Sequence, residues 1–398
     1  MNRILRNIVF SCLLCMVVAA GSAQCPDTSV TLIPKDQYVS GAMDTHNYFR
    51  HLYGRRVGVV ANQTSLIGDT HLVDTLVSSG IDVKKIFTPE HGFRGGADAG
   101  AKVSNDRDAK TGIDIVSLYG KTKKPTPAMM ADLDVVLFDL QDVGVRFYTY
   151  ISTLTYVMEA CAENDLPLIV LDRPNPNGFY IDGPVLKMEN QSFVGMHPVP
   201  VVYGMTIGEF AQMVNGEGWM KDKVHCELMV VPIPGYNRNA LYELPVKPSP
   251  NLPNWESVYL YPSLCFFEGT IVSVGRGTEH PFQVFGHPEM RGSYQFTPTS
   301  QEGASKPLLE GQHCRGEILS DYAHGYSHNP NVLHLEWIME AYQQLRDKGF
   351  FNNYFRLLSG DKQLQKDIEN GKSAEEIRAS WQSELDAFKA IRQKYLLY

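Results

Sequence analysis

From about residue 55 to residue 231, short apolar runs rich in β-branched residues alternate with stretches whose apolar positions recur at helical spacing. That alternation predicts βαβ units and a parallel sheet. Arg56 to Ala61 reads as a strand ending at Asn62, followed by a short helix near His71 to Ser79 and a strand from Ile81 to Phe87. Ile113 to Leu118 is a weaker strand and Pro127 to Leu133 a short helix. Asp134 to Leu140 (D-V-V-L-F-D-L) is continuously apolar, as expected of a strand buried on both faces. A helix running to about Glu163, a strand at Leu166 to Leu171, a helix at Thr206 to Val214 and a strand at Glu227 to Val231 complete this part.

The alternation stops at a proline-dense passage, Pro232 to Pro262, read as a connection laid over the surface and pinned by Trp255 and Tyr259. Beyond it, Thr270 to Val274 is predicted as a strand and Val332 to Asp347 as a helix. Ser373 and Glu376 form a capping box for a last helix, whose apolar stripe is Ile377, Trp381, Leu385, Phe388 and Ile391. The expected organisation is an α/β domain over 24–231, a Pro-rich connection over 232–262 and a smaller α+β domain over 263–398.

The first residues follow another logic. Arg3 and Arg6 precede an apolar run from Ile8 to Ala20 and the small residues Gly21, Ser22 and Ala23, the pattern of a secretory signal over 1–23. The run is short for a membrane span, so cleavage and export to the periplasm or medium are expected, with lipid attachment at Cys25 as the competing outcome. The remaining cysteines, Cys161, Cys226, Cys265 and Cys314, are scattered, with no C-x-x-C pair to suggest a zinc site. At 398 residues, with 20% charged residues and a net charge of −8, the chain has neither the length of a single core nor a basic field for nucleic acid.

Chemistry-bearing residues gather at the predicted strand ends. F-T-P-E-H-G-F-R-G-G places Glu90, His91 and Arg94 after the second strand, and Asn62 follows the first. Asp139, Asp142, Arg146 and Tyr148 follow the strongest strand, and Asp172 with Arg173 the next. Loops leaving the carboxyl ends of parallel strands converge on one crevice. Arg276 and His280, in G-R-G-T-E-H-P-F, either close that crevice from the second domain or join the domains. Two carboxylates among amides, arginines and aromatics suit glycoside hydrolysis, with Glu90, flanked by Phe87 and Phe93, as acid and Asp139 or Asp142 as its partner. Each charge also has a structural reading: Glu90 paired with Arg94, Asp142 with Arg146, Asp172 with Arg173, and Asp139 capping a turn. No G-x-G-x-x-G follows the first strand, so no dinucleotide cofactor is expected.

The strings F-T-P-E-H-G-F-R-G, V-L-F-D-L-Q-D-V-G-V-R-F-Y-T-Y, L-D-R-P-N-P-N-G and V-S-V-G-R-G-T-E-H-P-F closely resemble a bacterial family of exo-β-N-acetylmuramidases formerly listed as a domain of unknown function. The resemblance implies a Rossmann-like domain joined to a smaller C-terminal domain, with the active site in the cleft between them. It also implies release of terminal N-acetylmuramic acid from the non-reducing end of peptidoglycan fragments, with Glu90 at the motif glutamate. The second catalytic group stays open, since an N-acetyl sugar can supply its own nucleophile. The lactyl carboxylate of that sugar calls for an arginine, with Arg94, Arg173 and Arg276 as candidates. Competing functions are a non-catalytic receptor for cell-wall fragments and a metal-dependent hydrolase built on Glu90, His91, Asp139 and Asp142, which lacks H-x-x-x-H ligand spacing.

Overall fold

The computed structural model describes residues 30–90, 92–93, 106–328 and 331–398. The expected signal over 1–23, Cys25, His91 and Arg94 lie outside the described residues.

Seven strands form the principal sheet: β1 (Arg56–Ala61), β2 (Asp82–Thr88), β3 (Asp106–Arg107), β4 (Asp114–Ser117), β5 (Val135–Asp139), β6 (Leu168–Leu171) and β7 (Leu228–Val231). Their order is β7-β6-β5-β1-β2-β4-β3. All are parallel except the two-residue edge strand β3. The chain grows from β1 through β2 to β4 on one side, then crosses back to β5 on the other. That reversal beside β1 is where a doubly wound sheet opens a crevice at its carboxyl edge. Every residue of β5 is buried, as its unbroken apolar run requires.

Helices α1 (Leu72–Ser78), α2 (Tyr150–Glu163) and α3 (Ile207–Gly216) cover the sheet. The Thr206–Glu209 capping box opens α3. The 232–262 passage is not a bare strap: it holds a short strand, Ala240–Tyr242, and most of helix α4 (Trp255–Leu264). Asn254 and Ser257 form a capping box at the α4 start. Pro262 lies inside α4 and cannot donate to the Val258 carbonyl one turn back. Asn177 Nδ2 supplies that donor instead, at 3.1 Å.

The second domain carries a three-stranded antiparallel sheet, β8 (Val284–His287), β9 (Tyr294–Phe296) and β10 (Cys314–Ile318), in the order β8-β10-β9. It also holds helices α5 (Leu335–Leu345), α6 (Asn353–Ser359) and α7 (Ala374–Arg392), with two further short ones at Ser320–His324 and Gln363–Glu369. The predicted strand at Thr270 to Val274 does not form. This segment makes only isolated bridges, Thr270 to Phe351 and Ser273 to Gly286, before Gly275 turns the chain at a φ of 77°.

One large apolar cluster runs through both domains. Phe147, after β5, meets Tyr261 at 5.5 Å and Phe266 at 5.9 Å in edge-on contacts. Four described cysteines, Cys161, Cys226, Cys265 and Cys314, are buried free thiols. Among the described residues no helix is long and apolar enough to cross a membrane.

Candidate active site

A cavity of about 600 Å³ opens between the sheet's carboxyl edge and the second domain. The first domain supplies Glu90 after β2, Tyr119 after β4, and Phe147, Tyr148 and Tyr150 between β5 and α2. The second supplies Tyr261, Glu268, Arg276 and Phe282, with Tyr354 at the start of α6. Its volume falls in the roughly 300–1,000 Å³ range of small-molecule sites.

Two carboxylates face this space among the described residues, Glu90 and Glu268, one from each domain. Tyr119 hydrogen-bonds Glu90; burial first, and then the Glu90 charge, pushes its phenol up to about 12. It is therefore a neutral hydrogen-bond donor at physiological pH. Glu268 Oε1 accepts from Arg276 Nε at 2.6 Å, and Cys265 Sγ lies 3.7 Å from Oε2. The Arg276 guanidinium sits 4.9 Å from the centre of the Phe282 ring, and its Nη1 is buried without a hydrogen-bond partner. Burial works against that charge, but Glu268 outweighs it and the Arg276 pKa is raised. Tyr354 lies within electrostatic reach of both acids: burial, then Cys265, Glu268 and Glu90, raise its phenol.

Of the residues singled out in the sequence, Glu90, Tyr148 and Arg276 line the cavity. Tyr148 donates its hydroxyl to Pro248 O at 2.7 Å and packs edge-on against Tyr150 at 4.8 Å. Asn62 stands behind this wall, fully buried, donating Nδ2 to the Tyr150 hydroxyl at 2.7 Å and accepting from Thr64. It orients an aromatic wall instead of meeting the cavity.

The structure places the remaining described candidates away from the cavity. Asp139 does not reach the cavity; both its oxygens accept from Arg173, at 2.6 Å from Nε and 2.8 Å from Nη2, with both side chains almost wholly buried. Arg173 is spent on that pair, the Tyr38 hydroxyl and Leu66 O, so in place of the alternative Asp172–Arg173 pair it makes one across two strand ends. Asp172 instead accepts from Thr206 Oγ1, Gly208 N and the hydroxyl of the last residue, Tyr398.

Asp142 accepts from Gly144 N and the Tyr203 hydroxyl, and burial pushes its carboxyl up to about 7. Arg146 is not its partner. That arginine is fully buried and donates to four carbonyls, of Pro184, Val199, Leu358 and Ser359, tying the β5 loop to α6. His280 is half-buried in the second domain, 6.2 Å edge-on from the ring of Tyr294, and does not line the cavity.

Tyr119 and Tyr354 escaped the sequence reading, and Glu268, an acid near the interdomain seam, read there as the start of a strand. Tyr119 carried a usable signal, being the residue directly after the predicted strand Ile113 to Leu118. The strand-start reading of Glu268 fails because it sits on a 3-10 turn, Cys265–Gly269, that follows a helix hidden among prolines. Among the described residues no three His, Cys, Asp or Glu side chains group as a metal site.

Comparison with known proteins bears on the same architecture. Over 96% of its length the chain is 37% identical to the peptidoglycan β-N-acetylmuramidase NamZ of Bacillus subtilis strain 168, covering 96% of that protein. A crystal structure of a DUF1343 family protein from Bacteroides fragilis NCTC 9343 superposes with a TM-score of 0.83 at 45% identity, covering 90% of this chain and 98% of that one. A second DUF1343 structure from the same strain gives 0.77 at 30% identity, with the same coverage. Residues 57–256 match the N-terminal part of the exo-β-N-acetylmuramidase NamZ family and residues 259–398 its C-terminal part. The chain thus belongs, through both halves of its cleft, to the exo-β-N-acetylmuramidase NamZ family.

Proposed function

We propose that the protein is an exported, exo-acting glycoside hydrolase that releases terminal N-acetylmuramic acid from the non-reducing end of peptidoglycan fragments. The observation that carries this reading is the pairing of Glu90 and Glu268 across one aromatic-walled cavity. Cleaving a glycosidic bond takes one carboxylic acid to protonate the leaving oxygen and a second carboxylate as nucleophile or base. Glu90, oriented by the Tyr119 hydroxyl, is assigned the acid role. Glu268, held by Arg276 Nε, is assigned the second, replacing Asp139 and Asp142.

Tyr148, Tyr150 and Tyr261 supply flat faces for the sugar ring. Of the arginines considered for the lactyl carboxylate, Arg173 is consumed by Asp139, whereas Arg276 lines the cavity with an Nη1 that has no hydrogen-bond partner, and it is assigned that role. One guanidinium would then bridge the catalytic Glu268 and the feature that marks a muramic sugar. Peptidoglycan lies outside the cytoplasm, in keeping with the export pattern of the first residues.

The test is to mix purified protein with a disaccharide bearing muramic acid at its non-reducing end and follow free sugar by NMR. The anomer formed first reports retention or inversion, and Glu268→Gln is expected to abolish its formation. Unchanged turnover in Glu268→Gln would return the second role to the substrate's acetamido group.

A further inference from the structure

The cavity wall carries Lys306, a cation that the chemistry above leaves unused, and a second cation, Lys123, lies over the wall residue Phe193. Lys306 lines the cavity from an exposed position, next to Leu308, which is 48% exposed. Their loop is preset: Asn251 Nδ2 donates to Gly303 O at 2.8 Å, and Gly311 N to Pro298 O at 2.8 Å. On another part of the wall, Phe193 stacks on Tyr156 with ring centres 6.1 Å apart and planes 11° from parallel. Its carbonyl accepts from Ser152 Oγ at 2.7 Å, and Lys123 Nζ lies 4.2 Å from its ring centre.

Lys124, next along the chain, is paired with Glu159 at 3.0 Å and with Glu163 at 2.5 Å. Lys123 and Lys306, by contrast, have no carboxylate partner among the described residues. In a protein of net charge −8, these two ammonium groups put positive charge on a cavity wall that also carries an aromatic ring. An exo-acting enzyme draws the chain end inward to Glu90 and Glu268, so the rest of the glycan must leave through the cavity mouth.

We propose that Phe193, Lys123 and Lys306 form a subsite for the leaving portion of the glycan. The Phe193 ring, held by Tyr156 and Lys123, carries the first sugar beyond the cleaved bond on the edge it turns to the cavity, and the ammonium groups hold a carboxylate on the next. The occupant is the lactyl carboxylate of a second muramic residue, so the enzyme prefers a tetrasaccharide to a disaccharide. This rests on the hydrolase reading above.

The experiment compares kcat/KM for the muramic-terminated disaccharide, the tetrasaccharide, and a tetrasaccharide whose internal lactyl carboxylate is blocked as an amide. Wild-type protein is expected to favour the free tetrasaccharide by roughly three- to tenfold, the worth of two exposed ion pairs, with the preference shrinking at high salt. Blocking the internal carboxylate, or making Lys123→Ala with Lys306→Ala, should bring the ratio to about one.

Equal rates on both lengths, or a preference that survives the block and the double variant, would overturn the subsite. A preference seen only when a peptide stem is attached would overturn the assigned occupant. The same three ligands are titrated onto Glu90→Gln as a binding measurement. Release of no sugar by wild type would remove the hydrolase reading, while this binding ratio still decides the subsite.

Discussion

Asp139 and Arg173 show what burial does to a charge pair. Each is almost inaccessible, and each satisfies the other through two hydrogen bonds. Removing one partner strands the other charge in a low-dielectric interior, which costs about 3–5 kcal/mol. Asp139→Asn is therefore expected to lower the unfolding free energy by that order in denaturant titration while the folded fraction keeps its turnover. Lost turnover with unchanged stability would restore Asp139 to the chemistry.

Asp142 and Asp172 make a different prediction. Burial pushes each carboxyl from 3.8 up to about 7, so across that interval the folded chain holds protons that the unfolded chain has released. Their contribution to stability is full below about pH 4 and is lost as pH rises through about 7. Asp142→Asn keeps an acceptor for Gly144 N and should flatten the fall in melting temperature between pH 4.5 and 8. An unchanged slope would exclude Asp142 as its source.

At the scale of elements, the Pro-Asn-Pro-Asn-Gly loop works as a bracket. Asn175 donates to Met205 O at 2.8 Å, and Asn177 donates to Val143 O at 2.9 Å and Val258 O at 3.1 Å. It thereby joins the loop after β5 to α4, the helix whose end presents Glu268. The fit leaves no room at Gly144, where φ is +77° and an added Cβ would lie 2.1 Å from Asn175 Oδ1. Asn177→Ala would orphan two buried carbonyls and is expected to cost about 1–3 kcal/mol, read by thermal unfolding. A change within error would mean that other donors replace it.

The same elements show what the sequence could convey. The parallel strands and the Ser373 cap were legible because their period and chemistry are local. The helix α4 was not, since Pro262 and the prolines before the helix read as a connection while the donor replacing the missing N–H comes from a distant loop. Glu90 was legible as a charged residue at a strand end, whereas the roles of Asp139, Arg146 and Arg173 depend on partners remote in sequence.

The whole molecule is closed upon its cleft. Arg146 reaches the α6 carbonyls, and Phe147 packs on Tyr261 and Phe266. The C-terminus returns to the first domain, where Arg392 donates to Gly204 O and Tyr398 to Asp172. Contacts on this scale suit a site whose two carboxylates come from different domains, because misplacing either by an ångström is costly.

The central claim is that Glu90 protonates the bond to a terminal muramic sugar in this shared cleft. Single-turnover release of N-acetylmuramic acid from a muramic-terminated disaccharide, by wild type and by Glu90→Gln with binding measured in parallel, tests it most directly. The account predicts release by wild type and a loss of roughly 10²- to 10⁴-fold in Glu90→Gln with binding retained. Release by Glu90→Gln at the wild-type rate would contradict it.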